Sequence, residues 1–205
     1  MEFTDRRSPL PESPAARRNK GPILEVLKRV LPESGVVLEI ASGTGEHVVH
    51  FADALPRLVF QPTEMDPVAL EVLRIRSVRA RLPNVAPPLV LDVREPTWPV
   101  TRADAVLCIN LIHIAPWAAT EGLLRGAAEV LPRGGPLVLY GPFFRSDAPT
   151  APSNAAFDLS LRTRDPEWGV RRLEDVNAAA AVQGLELAER VEMPANNLVV
   201  VYRRG

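Results

Sequence analysis

A turn rich in small residues follows the first strongly apolar run of the sequence. Val36–Ile40 is short and β-branched, as in a strand buried within a parallel sheet, and it leads into Ala41, Ser42, Gly43, Thr44 and Gly45. The two glycines permit positive φ angles and add no side chain, so a ligand could lie directly on this backbone. From Glu46 the apolar residues recur at helical spacing, so the free N–H groups of a helix would face the turn. Such a turn suits a bound carboxylate or phosphate.

Acidic residues follow the next two apolar runs, at the positions where strands should end. Glu64 lies nineteen residues after the last glycine of the turn, where a carboxylate can accept hydrogen bonds from both hydroxyls of a ribose. Asp92 ends the predicted strand Pro87–Val93 and could accept from the exocyclic amine of an adenine; the alternative is an aspartate that forms a turn. We expect the neighbouring Met65 and Val93 to line the same site.

The turn does not fit the dinucleotide fingerprint G-x-G-x-x-G. A third glycine is needed for close helix packing, but counting from Gly43 that position is Val48, and counting from Ala41 it is Glu46. Glu39, two residues before the turn, would repel a pyrophosphate, whereas it would attract a cationic amino group. A nucleoside cofactor with a zwitterionic amino-acid tail is therefore a better fit than a dinucleotide. Another nucleotide, or a glycine turn without a ligand, remains the alternative.

A polar pair follows the predicted fourth strand, Ala105–Ile109. Because the carboxyl ends of parallel strands share one edge of a sheet, Asn110 and His113 should lie beside the reactive part of a bound ligand. We predict that Asn110 contacts the cofactor and that His113 is a catalytic general base. The alternative for His113 is a structural histidine, bonded to a backbone carbonyl at the end of the strand.

Composition limits the classes of function. The chain has 205 residues and a formal net charge of -1, from 24 basic and 25 acidic residues, so no global field draws it to nucleic acid. Its one cysteine, Cys108, rules out a disulfide framework and a thiolate zinc site. His47 and His50 lie one helical turn apart, but no carboxylate or thiolate spacing completes a metal site, so none is predicted. With no apolar run of membrane-spanning length and no secretory layout, the cytoplasm is the expected location.

The N-terminal region is predicted to have two parts. Residues 1–16 carry three prolines and few apolar residues, which indicates a loose arm before a single domain at 17–205. The first helix should begin at Pro22, because proline suits a first helical turn. The basic lead-in Arg17–Lys20 is either a solvated helix start or a lid whose cations reach the cofactor or an acidic substrate.

Strands and helices alternate to about residue 141, after which the pattern loosens. Residues 142–171 are predicted to form a cap that chooses the acceptor, with apolar walls and a few orienting polar groups; the alternative is a surface loop pinned by its aromatics. The proposed walls are Phe143, Phe144, Phe157 and Trp168, and the polar groups are Arg145, Asn154 and Asp158. An Ala-rich helix at Arg171–Gln183 precedes an antiparallel hairpin of Leu185–Met193 and Leu198–Tyr202. The predicted fold is α/β: a seven-stranded, mostly parallel sheet with an antiparallel last strand and helices on both faces.

The segment from Glu39 to Gly45 resembles motif I of the class I S-adenosylmethionine-dependent methyltransferases, with Ala41 in place of the usual first glycine. A narrower resemblance, to the methyltransferase-like protein 26 family (domain of unknown function 938), covers nearly the whole chain after the arm. The segments that carry it, besides Glu39–His47, are Arg18–Ile23, Gln61–Glu64, Asn110–His113, Leu139–Phe143, Ser153–Asp158 and Asp165–Arg171. It implies a Rossmann-like methyltransferase fold and a site for S-adenosyl-L-methionine, to which we also assign Asn19, Lys20 and His47.

The predicted function is methyl transfer from S-adenosyl-L-methionine to a small molecule. Because the sulfonium already carries a good leaving group, the protein need only hold the acceptor in line, exclude water and, where needed, remove a proton. The alternative from another class is a protein that binds the cofactor without transferring its methyl group, as a sensor or partner subunit. A nucleic-acid methyltransferase is disfavoured by the neutral charge balance. The sequence does not identify the acceptor, the atom methylated or the oligomeric state.

Overall fold

The computed structural model describes residues 10–205, in which strands and helices alternate. In this part of the chain the strands are β1 (Gly35–Ile40), β2 (Leu58–Glu64), β3 (Leu89–Val90), β4 (Ala105–Ile109), β5 (Pro136–Phe144), β6 (Arg171–Arg172), β7 (Leu185–Met193) and β8 (Asn197–Arg204). The helices are α1 (Pro14–Val30), α2 (Glu46–Ala54), α3 (Pro67–Ala80), α4 (Trp117–Val130), α5 (Pro152–Arg164) and α6 (Leu173–Val182). Short 3₁₀ turns lie at Leu111–His113 and Pro194–Asn196.

The strands form one mixed sheet in the order β3-β2-β1-β4-β5-β8-β7. Strands β1 to β5 are parallel to their neighbours, and β8 lies antiparallel between β5 and β7. This arrangement confirms the predicted mostly parallel sheet with an antiparallel last strand. The described sheet has eight strands rather than seven, because Arg171 and Arg172 pair with the end of β5 as the two-residue β6. The order in which successive strands are added reverses between β1 and β4, although the two strands are parallel, and ligands bind at such switch points in open α/β sheets.

Helices cover both faces of the sheet, as predicted. Along β1 the side chains alternate: Leu38 packs in a core with α4 and α6, whereas Val37 packs in a second core with α1, α2 and α3. Both residues are fully buried. Burial on both faces explains why this strand reads as a continuous apolar run rather than as an alternating one.

The first helix begins at Pro14, so the prediction that it begins at Pro22 is wrong. Ser13 caps this helix: its hydroxyl accepts from the Ala16 N–H at 3.3 Å, and its own N–H donates to the Glu46 carboxylate at 2.6 Å. Pro22 lies inside the helix, where it removes one backbone hydrogen bond. The start of the helix is therefore set by the contacts of Ser13, and not by the preference of proline for a first helical turn. Of the predicted arm 1–16, residues 1–9 lie outside the described residues and 14–16 are helical.

Two other predicted boundaries change. The predicted strand Pro87–Val93 is ordered as a strand only at Leu89–Val90, on the edge of the sheet beside β2. The predicted helix Arg171–Gln183 begins at Leu173, because its first two residues pair with β5. The predicted hairpin is confirmed as β7 and β8.

Cys108 is a buried free cysteine on β4, and burial raises the pKa of its thiol to about 12. Among residues 10–205, no three His, Cys, Asp or Glu side chains are grouped closely enough to hold a metal ion. None of the described helices is long and apolar enough to cross a membrane.

Candidate active site

The glycine turn lies at the carboxyl end of β1 and is held by Glu64 from the end of β2. One carboxylate oxygen of Glu64 accepts from the Gly43 N–H at 2.8 Å, and the other accepts from the N–H groups of Met65 and Asp66, each at 2.9 Å. Ala41 has a φ of 53°, Gly43 of 56° and Gly45 of 84°. Because a carboxylate can accept about four hydrogen bonds, Glu64 keeps capacity for a further donor after bracing the turn.

The two glycines of the turn have different surroundings. A Cβ added at Gly43 would meet nothing within 4 Å, whereas one at Gly45 would lie 2.5 Å from Leu73 Cδ1 of α3. Gly45 is therefore required for packing of the turn against a helix. Gly43 leaves its backbone open to the space beside the sheet edge, which is where the sequence predicts a ligand.

A cavity of about 380 Å³, which we call the turn cavity, opens beside this backbone at the carboxyl ends of β1 to β4. It brings together Ala41, Gly43, Glu64, Met65, Asp92 and Val93 of the predicted cofactor site, with Trp168 of the predicted cap across from them. Its other walls are mostly aliphatic, from residues such as Leu91, Leu111 and Ile114. A few polar groups among apolar walls are typical of a small-molecule site.

Asp92 lines the turn cavity but is already paired. Both of its carboxylate oxygens accept from the Arg94 guanidinium, at 2.6 and 3.0 Å, and one also accepts from the Arg94 N–H at 3.0 Å. The hydrogen bonds from Arg94 lower the pKa of Asp92, so this carboxyl is ionised at neutral pH. The bond to the Arg94 N–H is that of a turn-forming aspartate, the alternative reading of this residue, and it coexists with a place on the cavity wall.

A second cavity, of about 320 Å³, lies on the other side of the end of β4. We call it the amide cavity, because Asn19, Asn110, Asn154 and Asn197 line it together with Tyr140, Arg18 and Phe157. Asn110 is the boundary between the two cavities, since its neighbours Ile109 and Leu111 both line the turn cavity. Of its lining, Asn110 belongs to the end of β4, and Asn154 and Phe157 belong to the predicted cap.

Unfavourable backbone conformations are concentrated at these cavities. Five described residues other than glycine have positive φ, and Ala41, Asn110 and Ala195 among them line one cavity or the other. Asn196 is adjacent, and Arg81 ends α3. Such conformations cost roughly 1 to 3 kcal/mol each and persist where the surrounding structure enforces them, often at ligand sites.

Glu39 is buried beneath the turn, with 2% of its surface exposed. It follows Leu38 on β1, so its side chain points toward the face covered by α1 and α2. Burial, together with the nearby charge of Glu64, raises its pKa from 4.5 to about 7, and a hydrogen bond with Ser42 only partly offsets this rise. One of its carboxylate oxygens has no hydrogen-bond partner among the described residues. A buried unpaired oxygen is costly, so a cationic ligand group that reached it would be held strongly.

His47 and Asn19 form a hydrogen-bonded relay that ends at Tyr140. The ring Nε2 of His47 lies 2.8 Å from the Asn19 side-chain oxygen, and the Asn19 side chain is also hydrogen-bonded to the Tyr140 hydroxyl. Burial, aided by the charges of His50 and Lys20, lowers the pKa of His47 to about 4, so the neutral ring donates to Asn19. Because the Asn19 oxygen is taken by His47, its amide N–H is the group that can donate to the Tyr140 oxygen, and the Tyr140 hydroxyl can then donate in turn.

His113 lines neither cavity and is completely buried. Its Nδ1 accepts from the Arg171 N–H at 3.3 Å, its carbonyl accepts from the Gly169 N–H at 3.0 Å, and its ring packs edge-on against Phe143. Burial, with the charge of Arg171, lowers its pKa to about 3. An inaccessible ring whose basic nitrogen already accepts a hydrogen bond is poorly placed for general-base catalysis. The burial is that of a structural residue, but the ring does not bond to a backbone carbonyl as the structural alternative supposed, since its Nε2 has no hydrogen-bond partner among the described residues.

Arg171 fastens the cap to the end of β4, a role that the sequence does not indicate. Its guanidinium donates to the carbonyls of Ile112 at 2.8 Å, Ala115 at 2.6 Å and Glu167 at 3.0 Å. The carbonyls of Ile112 and Ala115 lie partly buried in the connection between β4 and α4, where such groups need a donor. The only signal in the sequence is an arginine placed just before an apolar helix.

Several other predicted site residues lie elsewhere. Lys20 faces a separate surface depression beside α2 rather than either cavity. Ser42, Thr44 and Gly45 shape the turn but line neither cavity. In the cap, Asp158 accepts from the Val170 N–H and from Arg162, Arg145 pairs with Glu192 and Asp147, and Phe143 is a core residue. These three cap residues stabilise the structure and are not available to orient a ligand, whereas Phe157, Asn154 and Trp168 do line the cavities.

The chain has a Rossmann-like α/β fold that matches the fold of solved class I methyltransferases. The chain belongs to the DUF938 family, described as proteins of unknown function, whose sequence profile matches residues 11–204.

Solved structures with a similar fold include methyltransferases. An O-methyltransferase family protein from Burkholderia thailandensis is similar with 17% identity and a TM-score of 0.79, over 93% of this chain and 57% of that chain. The mitomycin 7-O-methyltransferase MmcR is similar with 20% identity and a TM-score of 0.80, over 93% and 54%. The SAH-bound form of CalO1, a methyltransferase of calicheamicin biosynthesis, is similar with 14% identity and a TM-score of 0.74, over 91% and 54%. The chain thus spans little more than half the length of these proteins.

Proposed function

We propose that this protein is an S-adenosyl-L-methionine-dependent methyltransferase that acts on a small molecule. The observation that carries the proposal is the meeting of two cavities at Asn110, one beside the open backbone of Gly43 and one beneath the cap. The first suits a nucleoside cofactor, and the second suits an acceptor. The methyltransferases among the structural neighbours, one of them with SAH bound, support this assignment.

The described residues fit the cofactor. Glu64 would accept hydrogen bonds from the ribose, because it retains acceptor capacity after bracing the turn. Asp92, Val93 and Met65 would line the adenine side of the turn cavity. Glu39 would hold the amino group of the amino-acid tail, which would satisfy its unpartnered buried oxygen.

The protein's part in the reaction is to position the acceptor and to exclude water. The cofactor supplies an activated methyl group, so catalysis comes mainly from orienting an acceptor at contact distance. Asn110, fixed at a positive φ at the boundary of the cavities, would position the reacting group. His113 would act indirectly, by holding Arg171, Gly169 and the cap against the end of β4.

We infer further that the chain belongs with the methyltransferase-like protein 26 group within its family and that it works in the cytoplasm. The segments shared with that group include the turn that lines the turn cavity and the Asn110–His113 segment at the cavity boundary. The near-neutral composition supports a small-molecule acceptor over nucleic acid.

Calorimetry with S-adenosylhomocysteine tests the cofactor site. Glu64→Gln should lower the affinity by roughly 1.5 to 3 kcal/mol, because a charge-assisted ribose contact is lost. Glutamine is preferable to alanine, since it still offers an oxygen to the backbone N–H groups that Glu64 binds. Glu71→Gln is a matched control, because Glu71 pairs only loosely with Arg74 at 3.7 Å on the surface of α3. Equal affinity in all three proteins would refute the role of Glu64.

Turnover distinguishes an enzyme from a binding protein. Incubation with S-adenosylmethionine carrying a deuterated methyl group and a metabolite extract should yield labelled products detectable by mass spectrometry. Tight binding of the cofactor without any labelled product would favour the alternative of a sensor or partner subunit.

A further inference from the structure

The amide cavity has a polarity opposite to that of the turn cavity. Glu64 and Asp92 line the turn cavity, whereas no acidic residue of the described chain lines the amide cavity. Its one charged side chain is Arg18, on the first turns of α1. A cavity with a cation and no anion attracts negatively charged ligands, because opposite charges attract strongly where water is partly displaced.

Arg18 is free to bind a ligand. Its neighbour Arg17 pairs with Glu12, and Arg29 further along α1 pairs with Glu189 at 3.0 Å. Arg18 makes no ion pair within residues 10–205, although its side chain borders a cavity. A guanidinium presents five N–H donors in a planar fork that matches a carboxylate or phosphate.

Tyr140 supplies a second donor next to Arg18. Its side chain lines the same cavity, and a hydroxyl that accepts from Asn19 can still donate its own hydrogen to a ligand. The phenol stays protonated at neutral pH, since burial raises the pKa of Tyr140, and the charge of Arg18 acts on the same hydroxyl. Arg18 and Tyr140 together form a donor pair on one wall of the cavity.

The other amides of the cavity are not equivalent donors. Asn154 donates to the Asn196 carbonyl at 3.0 Å, and Asn197 donates to the carbonyls of Pro194 and Ala195. Their N–H groups therefore stabilise the hairpin turn. Within the described lining, Arg18 is the one charged donor left for a ligand, beside the Tyr140 hydroxyl and the unengaged donors of Asn110 and Ser153, while Phe157 and Pro142 offer apolar surface.

We propose that the methyl acceptor is an anionic small molecule whose carboxylate or phosphate oxygens pair with Arg18 and Tyr140 in the amide cavity, with its apolar part against Phe157. This inference rests on the proposed function and specifies the acceptor class for it. For the basic lead-in it favours the second interpretation, in which one of the cations reaches an acidic substrate.

The test uses matched probes in the presence of saturating S-adenosylhomocysteine. Benzoate, cinnamate and hexanoate are each compared with the corresponding carboxamide, and phenyl phosphate is compared with phenol, by ligand-observed NMR titration. At least one anion should bind wild-type protein roughly tenfold more tightly than its uncharged counterpart. A preference confined to the carboxylates, or to phenyl phosphate, identifies the headgroup.

Variants locate the effect at the donor pair. Arg18→Gln should abolish the preference for anions, and Tyr140→Phe should reduce it several-fold, whereas Arg17→Gln should retain it, because Arg17 does not line the cavity. An equal or stronger response to the uncharged probes in wild-type protein, or an undiminished anion preference in Arg18→Gln, would overturn the proposal.

The same samples show whether the methyltransferase function or only the anionic acceptor is wrong. If S-adenosylhomocysteine itself does not bind, the proposed function is wrong, and the proposed acceptor class is wrong with it because it rests on that function. If S-adenosylhomocysteine binds and no anion is preferred, only the acceptor class is wrong.

Discussion

Gly43 and Gly45 differ in what a single methyl group would do to the turn. Both have positive φ, so an alanine at either position costs about 1 kcal/mol of backbone strain. A methyl at Gly43 would enter open space beside the turn cavity, whereas one at Gly45 would collide with Leu73. Alanine at either position causes the same backbone strain. Any difference between the two variants therefore reports loss of ligand contact at Gly43 and loss of packing at Gly45.

We expect Gly43→Ala to lower the affinity for S-adenosylhomocysteine at least tenfold with a small fall in melting temperature. Gly45→Ala should lower the free energy of unfolding by about 2 to 4 kcal/mol, through overpacking added to strain. Calorimetry and thermal unfolding of both variants measure the two effects. If Gly43→Ala binds the ligand as wild type does, the cofactor does not lie against this backbone.

Glu39 makes cofactor binding depend on pH. With its pKa raised to about 7, much of the carboxyl is protonated in the free protein at neutral pH. A cationic amino group would favour the ionised form, so binding should release a proton, and affinity should rise as pH increases from about 5 through 7. Calorimetry in two buffers with different heats of ionisation measures the proton released, which should be absent in Glu39→Gln.

The same residue should reduce the stability of the free protein. A folded pKa above the unfolded value contributes stability below pH 4.5, and that contribution is lost as pH rises through about 7. At pH 8, Glu39→Gln should thus be more stable than wild type by about 2 to 3 kcal/mol, yet bind the cofactor less tightly. A variant that is both less stable and an unchanged binder would contradict this account of Glu39.

At the scale of elements, the junction between the end of β4 and the cap depends on His113 and Arg171. His113→Ala should destabilise the protein by about 2 to 4 kcal/mol, because a buried ring and its hydrogen bond are lost. Arg171→Met should act in the same direction, since three carbonyls lose their donor. Chemical denaturation measures both. Arg172→Met is the matched control, because Arg172 makes only an exposed contact at 3.8 Å with Glu174.

The contribution of His113 to stability should fall as the pH is lowered. The folded pKa of His113, about 3, lies below its ordinary 6.5, so its neutral form contributes stability that is fully present above pH 6.5 and lost as pH falls toward 3. That part of the acid sensitivity should disappear in His113→Ala. A variant with normal stability and turnover lowered by roughly 10² to 10⁴ would instead restore the general-base reading.

For the whole molecule, the prediction concerns closure of the cap over both cavities. Trp168 lines the turn cavity and Phe157 lines the amide cavity, so a ligand should suppress local opening across residues 143–170. Hydrogen exchange there should slow when S-adenosylhomocysteine is added. A smaller effect is expected in residues 14–22, because α1 already packs on the sheet through Ala16, Ile23 and Leu24.

The strands β7 and β8 away from the hairpin turn provide the internal control for exchange, since residues 185–193 and 198–204 line neither cavity. If exchange slows only around residues 39–45 and at Glu64, the cap does not close on the ligand. The acceptor site would then have to lie outside the amide cavity.

The sequence by itself determined the sheet, the turn and the cavity beside it. Buried parallel strands read as continuous apolar runs, and glycine is needed where φ is positive, so β1, the turn and Glu64 carry their structure in local residue types. The hairpin of β7 and β8 is likewise marked by alternation and by a Pro-Ala-Asn-Asn turn. Each of these sequence patterns involves residues that are close together in the chain, so it can be recognised without knowing the tertiary structure.

Only the tertiary structure decided which polar residues face a ligand. Asp158 and Arg145 look like pocket residues in the sequence but are engaged by Val170, Arg162 and Glu192, and His113 is sealed under the cap. Arg18, which no local pattern separates from Arg17, faces the amide cavity because Ser13 starts α1 eight residues earlier than Pro22 suggests. A side chain's role depends on partners that are distant in sequence, and those partners become neighbours only when the sheet and its helices pack.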